Sequence, residues 1–203
     1  MAYDPNKFKS ASPILINYNY TDISDGTGIQ VLYGATTQQD ATKTYVLSKE
    51  SVYSNDITTT DTISSGTFTK ELDLDFDLST FNISKRIKGT AVITASMKVT
   101  ASGATSYAYY LARIKKNDTT IATGQSQTIG ATAGTNYETM TTKIELPTTT
   151  NFEKGDVLRV TVEVWANTTS TGSIWIAHDP MDRTYESMET TQLKVNIPFD
   201  LEL

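Results

Sequence analysis

The chain has 203 residues, no cysteine, one histidine and a formal net charge of -6 from 17 basic and 23 acidic side chains. Thiol chemistry and thiolate metal sites are therefore excluded, and the scattered lysines and arginines form no basic stripe of the kind that neutralises nucleic-acid phosphates. At 38% hydrophobic and 20% charged, with 11 tyrosines and abundant threonine, the composition is polar but foldable and favours strands.

Met1 to Lys9 carries charge without a following apolar core, so it does not read as a signal peptide. No apolar run reaches the length of a membrane span. The expectation is a whole gene product made in a cytoplasm, with neither nucleic acid nor membrane as a partner.

Residues 1–43 read as an N-terminal arm, set apart from a main domain over 44–203. Ile14, Ile16, Tyr18 and Tyr20 alternate along one short strand, Ser24 to Gly28 is turn-rich, and Ile29 to Gly34 is a second short apolar piece. The alternative is that these are simply the first strands of the main domain.

From Thr44 the pattern tightens, and Thr44 to Ser54 is the first strand of this part. Over Thr67 to Leu78, Phe68, Leu72, Leu74 and Phe76 take one face while Glu71, Asp73, Asp75 and Asp77 take the other. Ala91, Ile93, Ala95, Met97 and Val99 line the inner face of the next strand. Over Tyr107 to Lys116, Ala108, Tyr110, Ala112 and Ile114 oppose Tyr107, Tyr109, Leu111 and Arg113; both faces carry apolar bulk, which suggests a central strand. Lys116-Asn-Asp-Thr119 is a hairpin turn, because Asn and Asp accept positive φ, and Thr119 to Ile129 returns. Met140, Thr142, Ile144 and Leu146 then alternate until Pro147 ends the strand.

The most regular stretch runs from Asp156 to Ala166. Leu158, Val160, Val162 and Val164 share one side, with Arg159, Thr161, Glu163 and Trp165 on the other. Slipping this strand by one residue would expose four aliphatics, each worth roughly 1.5–3 kcal/mol when buried, so its register is fixed. After Ser173 to His178 an irregular loop leads to the last strand, where Leu193, Val195, Ile197, Phe199 and Leu201 alternate. Pro198 has no N–H to give, so one ladder must break beside it. About eight strands without a helix of three turns indicate an all-β, antiparallel β-sandwich or jelly roll with an N-terminal arm.

Candidate chemistry is sparse. The acidic row Glu71, Asp73, Asp75 and Asp77 lacks the turn and glycine of a calcium loop and reads as a solvated strand face. His178 has no Gly-x-Ser-x-Gly elbow to serve and reads as a surface or loop residue. Catalytic residues, cofactors and metal ligands are all expected to be absent, and the chain is not expected to be an enzyme. Trp165, Trp175, Tyr107 and Tyr109 point away from the aliphatic faces of their strands. With Ile14, Ile16, Tyr18 and Tyr20 they make up the expected interface, the alternative being a sugar-binding surface.

Phe152-Glu-Lys-Gly-Asp-Val-Leu-Arg-Val-Thr-Val-Glu-Val164 resembles the Lys-Gly-Asp strand of trimeric jelly rolls of the tumour-necrosis-factor and C1q type. The ending, His178-Asp-Pro180 followed by Leu193 to Leu201, and the early Asp25 to Gly34, resemble small structural proteins of tailed bacteriophages. The resemblance implies a virion structural protein, a capsid decoration or cement protein on the head surface, made in the host cytoplasm. Its implied partners are itself, as a homotrimer, and the major capsid protein. A glycan- or host-receptor-binding module of a virion is the alternative.

Overall fold

The computed structural model describes residues 16–17, 27–39, 42–82, 84–186 and 188–200. The described residues are all-β and form thirteen strands: β1 (Ile16–Asn17), β2 (Thr27–Gln39), β3 (Thr42–Ser48), β4 (Thr58–Ile63), β5 (Thr69–Asp77), β6 (Lys85–Ser102), β7 (Thr105–Lys116), β8 (Thr119–Gln125), β9 (Ile129–Thr132), β10 (Thr135–Phe152), β11 (Leu158–Thr168), β12 (Thr171–Ala177) and β13 (Leu193–Asp200). Hydrogen bonding links them in the order β4-β12-β6-β13-β2-β3-β5-β11-β7-β8, with β1 on β2, β10 on β6 and β9 on β7. Every pairing is antiparallel except a single parallel bridge, Val46 to Asp77, between β3 and β5.

That bridge is where the path passes from one layer of a β-sandwich to the other. One layer is built on β6, which pairs with β10 along one side and shares its other side between β13 and β12. The second layer is β5, β11 and β7, with β8 and β9 both on the far side of β7. The inward series of both layers meet in one core, including Leu72, Leu74 and Phe76 of β5, Ile93, Met97 and Val99 of β6, and Val160, Val162 and Val164 of β11. Tyr110 of β7 crosses this core. Its hydroxyl lies 3.1 Å from the Ile93 carbonyl and 3.0 Å from the Met140 carbonyl, and accepts a 2.9 Å bond from Thr142. A buried phenol needs such partners. Burial, only partly offset by the Thr142 bond, pushes its pKa up to about 12.

The turns follow the sequence. Asn117 has φ 54° in the β7–β8 hairpin, and Gly155 has φ 95° before β11. Pro198 breaks a ladder as expected: β13 pairs continuously with β2, but its register with β6 jumps between Asn196 and Phe199. Pro147 behaves differently from expectation. β10 does not end there but runs on to Phe152, with its register on β6 shifting between Leu146 and Thr150. Both irregularities fall around Gly89 of β6, whose φ of 90° only glycine adopts without strain. One bend in β6 thus accommodates a proline on each neighbour.

Two other expectations are corrected, and one strand has no counterpart in the sequence reading. The strand expected over Thr44 to Ser54 ends at Ser48. β4 carries no apolar alternation and sits at an end of the strand order, beside β12 alone. Phe68, expected in the core, is 40% exposed. The reason is a bulge. Val164 pairs with Leu72 but Trp165 pairs with Lys70, so the extra residue reverses the facing of everything before it on β5. Lys70 and Phe68 are carried outward, beside Trp165.

Candidate functional site

The bulge gathers an aromatic face on the outside of the second layer. Trp165 of β11 stands directly opposite Tyr109 of β7. Their ring planes are parallel to within 1° with centroids 6.5 Å apart. Phe68 packs on Tyr109 at 5.2 Å with its plane tilted by 51°. Tyr107, 46% exposed, covers Gly130 of β9; a Cβ there would come within 2.8 Å of its ring. Glycine is required because the ring lies on the backbone, an aromatic side chain supplying the cover that glycine lacks. Three of the expected interface residues, Trp165, Tyr107 and Tyr109, therefore come together. Phe68 joins them, and no alternating pattern could reveal it.

Beside the rings lies a polar girdle. The Trp165 indole donates to Glu163 at 3.0 Å, and Arg113 binds the same carboxylate through Nε at 3.0 Å and Nη2 at 3.4 Å. Burial works to raise the Glu163 pKa, but the bonds from Arg113 and Trp165 prevail and hold it below the usual carboxylate value. Lys70 Nζ is 2.5 Å from Asp73 and 3.9 Å from Glu163. Further along, Arg159 grips Asp77 with Nε at 2.6 Å and Nη2 at 2.9 Å, while Lys115 reaches Asp75 at 3.6 Å. In the acidic row, Asp75 and Asp77 are thus held in cross-strand ion pairs, while Asp73 pairs with Lys70 and Glu71 accepts from Thr69 on their own strand, which is more constrained than a merely solvated face. Among the described residues no group of acids and histidine is arranged to hold a metal ion.

Trp175 lies elsewhere, on the outer face of β12 in the other layer. Lys98 Nζ sits 4.0 Å from its ring centroid, and the lysine, 3% exposed, is ion-paired with Glu186. The loop after β12 covers this pair. Tyr137 fastens that loop, its hydroxyl accepting from Thr190 N at 2.8 Å and donating to Thr190 O at 3.1 Å. Ile16 belongs to β1, beside Ile29 and Gln30 of β2. Ile14, Tyr18 and Tyr20 lie outside the described residues.

His178 is corrected most sharply. Expected at the surface, it is fully buried, edge-on to Tyr45 at 5.6 Å and near Phe76 at 6.0 Å. Its Nε2 meets Thr59 Oγ1 at 2.8 Å, which in turn meets the Tyr45 hydroxyl at 3.0 Å. Burial pushes its pKa down to about 4, reinforced by Lys43, so the ring is neutral. The neighbouring Asp179 is buried as well. It accepts from the backbone N–H of Met181 at 3.2 Å and of Arg183 at 2.8 Å, and from Arg183 Nε at 2.8 Å. Arg183 continues to the Ser54 carbonyl at 2.7 Å. The histidine is a core residue, and the His-Asp-Pro sequence is the root of a loop. Thr59 is distant in sequence, so nothing near His178 signals its burial.

No protein-family model matches the chain, and no curated protein matches it in sequence. Solved structures do. The chain is similar to a CocE/NonD family hydrolase from Staphylococcus aureus, at 14% identity and TM-score 0.51 over 86% of this chain and 37% of that one. It is similar to an alpha-amino acid ester hydrolase, at 7% identity and TM-score 0.53 over 84% and 36%. What is shared is the fold. A structure of infectious bursal disease virus aligns over 82% of this chain and 42% of that one, at 13% identity and a TM-score of 0.29, which is too low to carry weight. The chain spans little more than a third of the two hydrolases.

These likenesses overturn two expectations. The resemblance to phage decoration and fibre proteins does not stand, since the two solved structures that align on this fold at TM-scores of 0.51 and 0.53 are hydrolases. The expectation of a protein that is not an enzyme falls on the same finding. Short motifs such as Lys-Gly-Asp before alternating valines misled because they specify a turn and a strand, which any β-sandwich needs.

Proposed function

We propose that the chain is a β-sandwich binding module of a hydrolase, presenting the outer face of β5, β11 and β7 to substrate or to a neighbouring domain. The observation carrying this reading is the likeness in fold, over 84–86% of the chain, to about a third of two hydrolases. The aromatic face supports it: rigid rings held by strand register lose little conformational freedom on binding, and aromatic residues are enriched where proteins bind.

The test is purification of the tagged chain from its own source after mild amine cross-linking. Lys70 and Lys115 flank the face and are the expected attachment points. Ester- or amide-hydrolysing activity should then copurify at constant ratio to the chain. Activity no higher than in a mock purification, with cross-links only elsewhere, rejects the reading.

A structural component of a virus particle is the second reading. The opposite outer face favours it. There Thr94 meets Thr141 at 3.0 Å, Ser96 meets Thr139 at 2.8 Å and Thr90 meets Glu145 at 2.9 Å, a stiff and mostly uncharged ladder between β6 and β10. A capsid shell could lie against such a surface, with the main capsid protein as partner and copies of the chain around a threefold axis. Cosedimentation with particles, without hydrolytic activity, selects it.

A further inference from the structure

We propose that the face formed by Phe68, Tyr109, Trp165 and Tyr107 is a platform for a neutral polysaccharide chain. The proposal rests on the reading of this face as the working surface of the module, and it names the ligand class.

The rings project from a sheet, so their spacing is set by backbone register. Trp165 and Tyr109 face each other across β11 and β7 with planes parallel to within 1°. The two rings stack on each other, so the faces open to a ligand are chiefly those of Phe68, packed on Tyr109, and Tyr107, 40% and 46% exposed. A π-face is electron-rich, and the axial C–H face of a pyranose is apolar and weakly positive, so sugars stack there.

The surrounding groups choose the ligand's charge. Lys70 and Arg113 are matched by Asp73 and Glu163, each cation within 3.0 Å of an acid. The rim is therefore electrically balanced, which disfavours anionic phosphates and cationic peptides alike. Paired donors and acceptors side by side suit vicinal hydroxyls, which need both. A second copy of the chain is a poor occupant. A stable dimer buries roughly 800 Å² per partner, whereas only Phe68 and Tyr107 of these rings are well exposed, at 40% and 46%.

Gel electrophoresis through immobilised neutral glycans (xylan, mixed-linkage β-glucan, galactomannan), with cellulose and chitin pull-down, tests the proposal. At least one should retard or retain the protein. The chain has two tryptophans, so Trp175→Phe leaves emission from Trp165 alone, and that emission should change with saturating glycan. Phe68→Ala and Tyr107→Ala remove exposed rings without opening the core, and each should weaken binding at least fivefold; Trp175→Phe should bind like the parent. Retention by none of the five glycans, or retention unchanged in the Phe68→Ala/Tyr107→Ala double variant, overturns the proposal. Loss of copurifying hydrolysis with glycan binding intact would instead sink the hydrolase reading alone.

Discussion

Trp165 and Tyr109 are a cross-strand pair with parallel rings, and a bulge one strand away, on β5, turns Phe68 out against Tyr109. Such pairs contribute about 0.5–1.5 kcal/mol beyond the area they bury. A double-mutant cycle of Trp165→Ala and Tyr109→Ala, followed by urea unfolding, should return a coupling energy in that range. A value near zero would mean that the rings merely lie near each other.

His178 gives stability a pH signature. It is neutral in the folded state, with a pKa of about 4, against about 6.5 in an unfolded chain. The unfolded state therefore binds more protons between these values. The contribution is fully present above about pH 6.5 and is lost as pH falls through about 4, on the order of 3 kcal/mol in all. Urea midpoints of His178→Phe should fall less steeply over this range than those of the parent. Lys43, Asp56 and Asp179 act on the ring in both directions, so the difference between the two proteins isolates the imidazole. Parallel pH curves would exclude a neutral buried ring.

Tyr110→Phe should cost on the order of 1–3 kcal/mol, because it removes the one hydroxyl proton that the Ile93 and Met140 carbonyls share and leaves the buried Thr142 hydroxyl without its acceptor. Ionisation adds a second readout. The folded pKa is raised to about 12, so this residue's contribution is intact below about pH 10 and is lost as pH rises through about 12. In a spectrophotometric titration, one of the 11 tyrosines should ionise only with alkaline unfolding.

Two glycines separate crowding from backbone strain. A Cβ on Gly172 would lie 2.5 Å from the Thr100 carbonyl and 2.6 Å from Ser106 Oγ. Gly172→Ala should cost about 1–3 kcal/mol, as overpacking does, or more, since backbone must move. Gly103 has open space but a φ of +69°, so Gly103→Ala should cost roughly 1–2 kcal/mol through conformation alone. Thermal melts of the two variants check the order.

Deleting residues through Gln39 tests the proposal of an arm over 1–43. β2 lies between β13 and β3 and carries Leu32 and Ala35 into the core, so the deletion should abolish cooperative melting. A sharp transition retained without these residues would establish the arm.

Much of the sandwich is legible because burial alternates with period two. Leu158, Val160, Val162 and Val164 are all inside, as their spacing requires. The signal fails where a single residue shifts the phase. Phe68 is apolar and in register by count, yet the bulge opposite Trp165 sends it outward and so completes the aromatic face. It fails again where partners come from afar: Thr59 and Tyr45 make the pocket of His178 from more than a hundred residues away. β4, with Thr58, Thr59, Thr60 and Thr62, is invisible because an edge strand need not carry an apolar stripe. Trp175 shares Trp165's outward pattern, and only the loop over Lys98 distinguishes the two.

The place of β13 has a consequence for biosynthesis. It is the last of the described strands, and it fits between β2 and β6, which leave the ribosome far earlier. Until about residue 200 has emerged, that slot stands vacant with two raw edges, each able to recruit a strand from another nascent chain. Assembly thus waits on a late arrival, which makes folding slow and vulnerable on a crowded polysome. Halting translation just before Leu193 should yield aggregates, whereas a halt after the slot is filled should release a protease-resistant sandwich.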